Sequence, residues 1–484
     1  MSESTEKNLS VARNIKIGFF HLGSGMADIM TTGVWNRIMI SDLGFAATPV
    51  SLLVSLRYFL APLGVWAGRV SDERRVGGFQ RLFWIWLGRA LMVLSVFALG
   101  TTTTTLARGA EATPIIWLML TLALLTFSLG NALSGSTFLA LIYDRAAPHQ
   151  RGRAVGIVWT FLLLGFTVGG ILFGILLPSA ESSEMLAFGG AALTSMLPFA
   201  HLLNIGGLSF TPDTLQNLFI VAGLMLGMLW FVSLLGEEKR SREALIQESG
   251  ETDAPSTSLM EDLRMVWRSR PMRFFAIYLG FSMAFAFSQD AVLEPFAGDV
   301  FGMDARITTK FAAYWGSMSI LGTLVFLWLS HRIKRLTNTR VSFMGVVILI
   351  ATFVLLTVCA VFEIRGLVTI SLIALGLGLG VWNVGTLGLM MDMSPLERAG
   401  TFLGFWTLVV TLSRGFGVSS GGIIRDIALQ LTGSLNSAYA AVFILGTAGL
   451  LVSAWALRKS ATAAPQTRLE PQPDTATILA GAMD

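Results

Sequence analysis

The chain of 484 residues is 54% hydrophobic and only 13% charged, with 50 Gly, 21 Met and 13 Trp; its mean hydropathy of +0.68 lies far outside the soluble range. A bilayer-crossing helix takes roughly 20 apolar residues, so this length holds about a dozen spans with short loops and excludes a large extramembrane domain. The single cysteine, Cys359, excludes an internal disulfide or a multi-thiolate metal site, and a net charge of +4 from 34 basic and 30 acidic residues does not indicate a nucleic-acid partner.

Residues 1–14 are polar and lack a cleavable apolar core, so they read as a cytoplasmic tail and not as a signal peptide. Hydropathy then predicts spans over 15–40, 49–70, 80–100, 114–142, 154–178, 213–235, 273–296, 307–330, 341–362, 366–391, 400–423 and 437–457, twelve in all. The uncharged stretch 185–203 is nearly long enough to cross. The basic segments on either side of it both belong in the cytoplasm, which requires an even number of crossings between them, so it reads as an outer-face or re-entrant segment. The charged stretch 236–272 reads as a cytoplasmic linker between two six-helix bundles, 15–235 and 273–457. Residues 458–484, rich in Ala, Thr, Pro and Gln, read as a disordered cytoplasmic tail. Six of the 34 basic residues fall at outer ends or loops (Arg37, Arg108, Arg306, Lys310, Arg365, Arg425) and three within spans (Arg57, Arg89, Arg414), leaving 25 in cytoplasmic segments. That asymmetry places both termini inside.

Two turns resemble each other across the halves. Pro148, Arg151 and Trp159 recur at the same spacing as Pro395, Arg398 and Trp406, each set between the fourth and fifth spans of its half. An all-α membrane protein of two pseudo-symmetric bundles follows, the arrangement of the major facilitator fold. The loop after the second span, with Gly64, Gly68, Arg69, Asp72, Arg74, Arg75, Gly77, Gly78 and then Arg81, resembles that superfamily's cytoplasmic signature. In this reading the acid and the bases, with Arg151 and Arg398, form a latch, and Asp72 is placed to sit at a helix N-terminus, worth about 0.3–1 kcal/mol.

The segments Phe19 to Gly44 and Gly68 to Gly88 resemble a narrower group, the PucC/LhaA family. The resemblance rests on Gly25, Met26, Thr31, Thr32, Asn36, Arg37, Met39 and Leu43, then Ser71, Asp72, Arg81, Trp86 and Gly88. The sequence departs from the pattern at His21 and in the long outer segment 179–213. The resemblance implies an inner-membrane protein of a phototrophic bacterium. It would be a non-enzymatic assembly factor that binds or delivers bacteriochlorophyll and has light-harvesting or reaction-centre polypeptides and lipids as partners. A magnesium pigment needs an axial donor; His21, flanked by Phe20, Gly23 and Gly25, is the histidine with the best setting, and Asn36, Asn131, Asn383 or carbonyls are alternatives.

Ionisable residues within the membrane are costly and therefore candidates for function. At 1.5 Å rise per residue, Asp28 lies roughly 18 Å and Arg57 roughly 13 Å below the outer ends of their spans, a depth at which they can pair. Arg89 lies in the third span. Arg414, deep in the eleventh, can meet Asp290 or an anionic ligand, and Glu294 reads as a helix-ending residue that snorkels to the outer interface. The fourth and tenth spans carry no charge, and the tenth is a stripe of Gly376, Gly378, Gly380, Gly385 and Gly388, suited to close helix contact or to a flat apolar ligand. A second function remains open at this stage: alternating-access transport of a small anionic solute, with Arg57, Arg89 and Arg414 as ligands and Asp28 as the coupling carboxylate.

Overall fold

In the hydrocarbon core no water completes a backbone hydrogen bond, so a chain this apolar is driven into helices. The computed structural model describes residues 9–177 apart from 74, 148 and 149, residues 212–238, and residues 266–463 apart from 334, 335 and 395–398. The predicted outer segment 185–203, most of the linker, the tail beyond 463, and Arg74, His149 and Arg398 lie outside the described residues. Within them the elements are α1 (Val11–Ile29), α2 (Ala47–Phe59), α3 (Ala61–Glu73), α4 (Leu82–Ala107), α5 (Pro114–Arg145), α6 (Arg151–Leu176), α7 (Pro212–Ser233), α8 (Arg270–Ala286), α9 (Leu293–Phe301), α10 (Ala305–Thr309), α11 (Phe311–Arg332), α12 (Asn338–Phe362), α13 (Gly366–Asp392), α14 (Ala399–Thr432) and α15 (Leu435–Ala463).

Among the described residues ten stretches are long and apolar enough to cross a membrane, α2 and α3 together counting as one that bends at Leu60, two residues before Pro62. The other two predicted spans, 15–40 and 273–296, are interrupted helices. Beyond α1 the chain widens into π-helical turns, Met30–Trp35 and Ile38–Asp42, a local form common at functional sites. α8 stops at Ala286 and α9 starts at Leu293, with Pro295 in the first turn of α9, where its missing N–H leaves no bond unmade. α14 runs nine residues past the predicted end of its span, to Thr432, so Arg425 is helical and not in a loop; α15 continues to Ala463, into the predicted tail.

The helices on either side of 239–265 pack in corresponding pairs. α1 lies on α6 and α7, α4 on α5 and α7; in the second set α8 lies on α14 and α15, α12 on α13 and α15. The repeated tryptophans follow this correspondence, since Trp159 of α6 meets His21 of α1 edge-on at 6.1 Å and Trp406 of α14 meets Phe275 of α8 edge-on at 4.9 Å. Between the sets, α2 packs on α14 and α6 on α11. Hydrogen bonds across this seam cluster at the end that holds residues 36–48, 291–303 and 419–426, called the sealed end below. The opposite end, where 236–238 and 266–270 lie, is called the linker end.

Glycine sets the closeness of these contacts. A Cβ on Gly376 or Gly380 would strike the backbone carbonyl of Trp315 or Ser319 on α11, and one on Gly385 would strike the backbone of Ser342 on α12. The glycines of α13 are thus filled by protein and leave no flat slot for a ligand. Gly376→Val should lower the unfolding temperature in detergent, at a cost of about 1–3 kcal/mol, whereas Gly404→Ala, with open space around it, should not; intrinsic-fluorescence melting measures both.

Candidate functional site

Midway through the seam four charged side chains from four segments form one network. Arg57 of α2 donates to Asp28 of α1, and its other terminal nitrogen donates to the hydroxyl of Tyr58 at 2.8 Å. Arg414 of α14 donates to Asp290 at 2.9 Å, and Asp290, in the break between α8 and α9, also accepts from the Gln289 amide at 2.7 Å. Tyr58 joins the two pairs, because the Arg414 guanidinium lies 5.1 Å from its ring centre and 4.1 Å from that of Phe287. Two acids and two bases cancel, which is what a low-dielectric interior demands. Arg89 makes no ion pair among the described residues. It is 1% exposed, held between the rings of Phe20 (4.3 Å) and Trp230 (4.7 Å), and donates to the Met92 sulfur at 3.3 Å. A desolvated cation–π contact is worth about 2 kcal/mol.

A second cluster closes the sealed end. The N-terminus of α2 has no cap of its own, since Ala46 offers no side-chain acceptor. Asp426 of α14 supplies one across the seam, accepting from the backbone N–H groups of Ala47 (3.1 Å) and Thr48 (2.6 Å). Arg425 holds Asp426 at 2.9 Å and Asp299 at 3.0 Å, and Tyr439 donates to Asp299. Nearby, Arg37 pairs with Asp42 at 2.9 Å and donates to the Met303 carbonyl at 2.9 Å. Arg37 and Arg425, predicted at an outer end or loop, are both buried. Glu294 does not snorkel; it is 5% exposed and faces Gly33, Asn36 and Arg37 of the first span.

At the linker end the predicted latch is partly reorganised. Arg81 is its centre, pairing with Asp72 and with Asp144 at 3.0 Å and donating to the Ser71 hydroxyl at 2.6 Å. Gly77 and Gly78, with φ of 64° and 89°, make the tight turn that carries Arg81 back beside Asp72, a conformation disfavoured for other residues. The carboxylate at the helix N-terminus is Glu238 and not Asp72: it accepts from the backbone N–H groups of Gln80, Arg81 and Leu82 and caps α4. Glu237 beside it takes Arg13 at 2.8 Å and Lys16 at 3.3 Å. Arg69 is exposed, and Arg151 stands 5.5 Å from the Tyr143 ring. Arg75 lines the same polar cleft as Arg81 and Asp144.

The pigment-ligand candidates do not converge. His21 is 8% exposed with its Nδ1 unpaired, but its ring lies against Phe138 (4.7 Å) and Trp159 (6.1 Å). The neighbouring glycines that were to leave space for a macrocycle are filled: Gly23 abuts Trp230, and Gly25 abuts the α6 backbone at Leu162 and Gly165. Asn36 donates to the Ala291 carbonyl at 3.1 Å, and Asn383 is exposed on α13. These residues do not fit a resident tetrapyrrole.

Sequence reasoning missed Tyr58, Asp426, Asp299, Tyr439, Glu237 and Glu238. A polar residue adjoining an arginine was the available signal for Tyr58 beside Arg57 and for Asp426 beside Arg425; for the others nothing local distinguishes a docked side chain from a solvated one.

A family model described as PUCC protein matches residues 34–464. Protein PucC of Rhodovulum sulfidophilum is 26% identical over 447 residues, covering 90% of this chain and 90% of that protein. A protein of Rhodobacter capsulatus named bacteriochlorophyll synthase 44.5 kDa chain is 27% identical over 425 residues, covering 85% of this chain and 87% of its own. Among solved structures, a bacterial homologue of the human lysosomal transporter Spinster, inward-facing and unoccupied, superposes with a TM-score of 0.63 at 15% identity, covering 99% of this chain and 96% of that one. The shared fold is that of the major facilitator transporters, and the chain is a multi-pass membrane protein.

The mid-bundle network makes a thermodynamic prediction. Arg414→Ala strands Asp290 in the interior and should destabilise by about 3–5 kcal/mol, lowering the melting temperature in detergent. Asp290→Asn combined with Arg414→Gln, which removes both charges, should recover most of the loss. Equal loss in the double variant would show that the pairing is not what Arg414 contributes.

Proposed function

The chain belongs to the PucC family, and from that premise we propose that it is a membrane assembly factor for photosynthetic light-harvesting or reaction-centre complexes, with bacteriochlorophyll as the cargo that it holds or passes on. The observation that carries this reading is the family match over 34–464; the relative named for bacteriochlorophyll synthesis supports the link to pigment. In this reading the chain is not itself an enzyme. It consists of two six-helix bundles, 15–235 and 273–457, joined by the linker 236–272, with both termini on the cytoplasmic side of the inner membrane. The interior agrees with such a role: Asp28, Arg57, Asp290 and Arg414 are engaged with one another, and α5 and α13 carry no charge between 114 and 142 or 366 and 391. The residues about His21 do not fit a resident pigment, so the cargo meets the protein at exposed apolar surface, such as that around Trp328 on α11 and Phe416 on α14. Antenna or reaction-centre helices use the same kind of surface, alongside lipid.

A second reading has one observation in its favour. The buried Nε atoms of Arg57, Arg89 and Arg414 carry no hydrogen bond, and unspent guanidinium N–H groups are what an anionic solute would seek. Purification in mild detergent from the native phototrophic host separates the two. Co-purifying near-infrared-absorbing pigment and antenna polypeptides, together with loss of assembled antenna in a deletion strain, are the expected result. A colourless protein that accumulates an anion in vesicles, with antenna unaffected by the deletion, would replace assembly by transport.

A further inference from the structure

At the linker end of the second helix set a cavity of about 590 Å³ opens where the end of α11, the start of α12 and the end of α15 meet. Two hydrogen bonds fix these ends in place. The Ser460 hydroxyl of α15 donates to the Pro271 carbonyl at the start of α8, and the Asn338 amide of α12 donates to Asp392 at the end of α13 at 2.9 Å. The lining divides into two chemistries. Leu336, Phe343, Met344 and Leu457 supply apolar walls, and two exposed cations stand over them from different helices, Arg340 of α12 and Arg458 of α15. Among the described residues no carboxylate lines the cavity.

The Arg458 guanidinium lies 4.5 Å from the ring centre of Phe343, which holds its charge over the apolar wall. A guanidinium carries five N–H donors, more than a ring contact or one further acceptor takes up. The cavity also lies at the depth where a bilayer ends. α11 and α15 each carry an exposed tryptophan within two turns of it, Trp328 and Trp455, and tryptophan collects at the membrane–water boundary. Arg332 stands 5.5 Å from the Trp328 ring and Lys459 follows Arg458, so positive charge extends along this edge. In the other direction the walls continue into the bilayer. Val347, two helical turns from Arg340, and Leu451, two turns from Arg458, are exposed on the same helix faces as those arginines. A soluble anion would use only the cations, and an apolar partner only the walls; a molecule with an anionic head and hydrocarbon tails uses both.

We propose that this cavity is a binding site for one anionic glycerophospholipid of the leaflet at the linker end. Arg340 and Arg458 take its phosphate, and its acyl chains follow Met344, Val347 and Leu451. Basic pockets between membrane helices suit such head groups, and each cation near the membrane surface favours a net negative lipid by about fivefold. The lipid thereby joins the ends of α12 and α15.

The test uses the full chain, stripped of lipid in detergent, with native mass spectrometry counting the lipid bound on titration. The probes are palmitoyl-oleoyl phosphatidylglycerol and the zwitterionic phosphatidylcholine of the same chains. One phosphatidylglycerol should bind about 25-fold more tightly than phosphatidylcholine, from two arginines. Arg340→Gln combined with Arg458→Gln, both at exposed positions, should bring the two lipids level. Arg365→Gln removes an exposed cation at the opposite end of α12 and should leave the preference unchanged. Glycerol phosphate, which has the anion without the chains, should not displace the lipid even in large excess, because it buries no hydrocarbon. Equal affinity of the two lipids for the wild-type chain overturns the proposal whatever the variants do. So does a preference that survives the double substitution, or one lost equally in Arg365→Gln. Displacement by glycerol phosphate would make the cavity a site for a soluble anion instead.

Discussion

An unpaired charge deep in a bilayer costs about 2.5–3.5 kcal/mol even on lenient scales, and this cost organises the interior of the chain. Asp28 answers Arg57, and Asp290 answers Arg414. Arg89, without an ion pair among the described residues, is wrapped by aromatic faces instead. The pairs do more than cancel charge. Each ties two helices, α1 to α2 and the α8–α9 break to α14, and Tyr58 places the two ties against each other across the seam. Each pair lies within one helix set, and the contact of Arg414 with Tyr58 carries the arrangement across the seam, a specificity that apolar contacts leave open because lipid tails compete equally well for them.

The two ends of the bundle apply the same chemistry with different reach. At the linker end, Glu238 caps α4 and Arg81 gathers Asp72 and Asp144, all of them within the first helix set. At the sealed end, Asp426 caps α2 from the opposite set. A helix cap made within one rigid group stabilises that group; a cap made between groups stabilises one relative arrangement of them. Of the two end clusters, the one at the sealed end is therefore the one that reports on, or resists, a change in how the sets lie against each other.

Hydropathy made most of the fold legible, since a run such as 341–362 has no alternative to crossing. The duplicated Pro, Arg and Trp spacing was equally informative: Trp159 and Trp406 both turn edge-on to the helix that corresponds in their own half. What stayed hidden depends on distant neighbours. Glu237 and Glu238 open a run of charges that reads as linker, and nothing nearby says that α4 lacks a cap 156 residues earlier. Arg425 sits just past the apolar stretch, where a loop and a continuing helix are equally compatible with hydropathy. Glu294 failed for the opposite reason. Its position before Pro295 signals a helix end, and helix ends in membranes face water; here the end lies in the middle of an interrupted span, buried against Gly33.

Both interruptions, the π-helical turns beyond α1 and the break between α8 and α9, fall at equivalent places in the two sets and meet at the seam. A continuous helix satisfies its own backbone and offers a neighbour only side chains. An interrupted one exposes carbonyls, and the Ala291 carbonyl in the break is taken by Asn36, while Arg37 takes the Met303 carbonyl from the turn between α9 and α10. Asn36 is thus explained by backbone that the break sets free, and Arg37 by a turn carbonyl and Asp42. Asn36 and Arg37 belong to the pattern by which the first span resembles its family. A seam built from main-chain acceptors breaks and reforms with little side-chain repacking. Such a seam serves an assembly factor that must grip and release a membrane partner as well as it serves a transporter, so the shared fold does not decide between the two roles, and the pairing of the interior charges weighs toward the first.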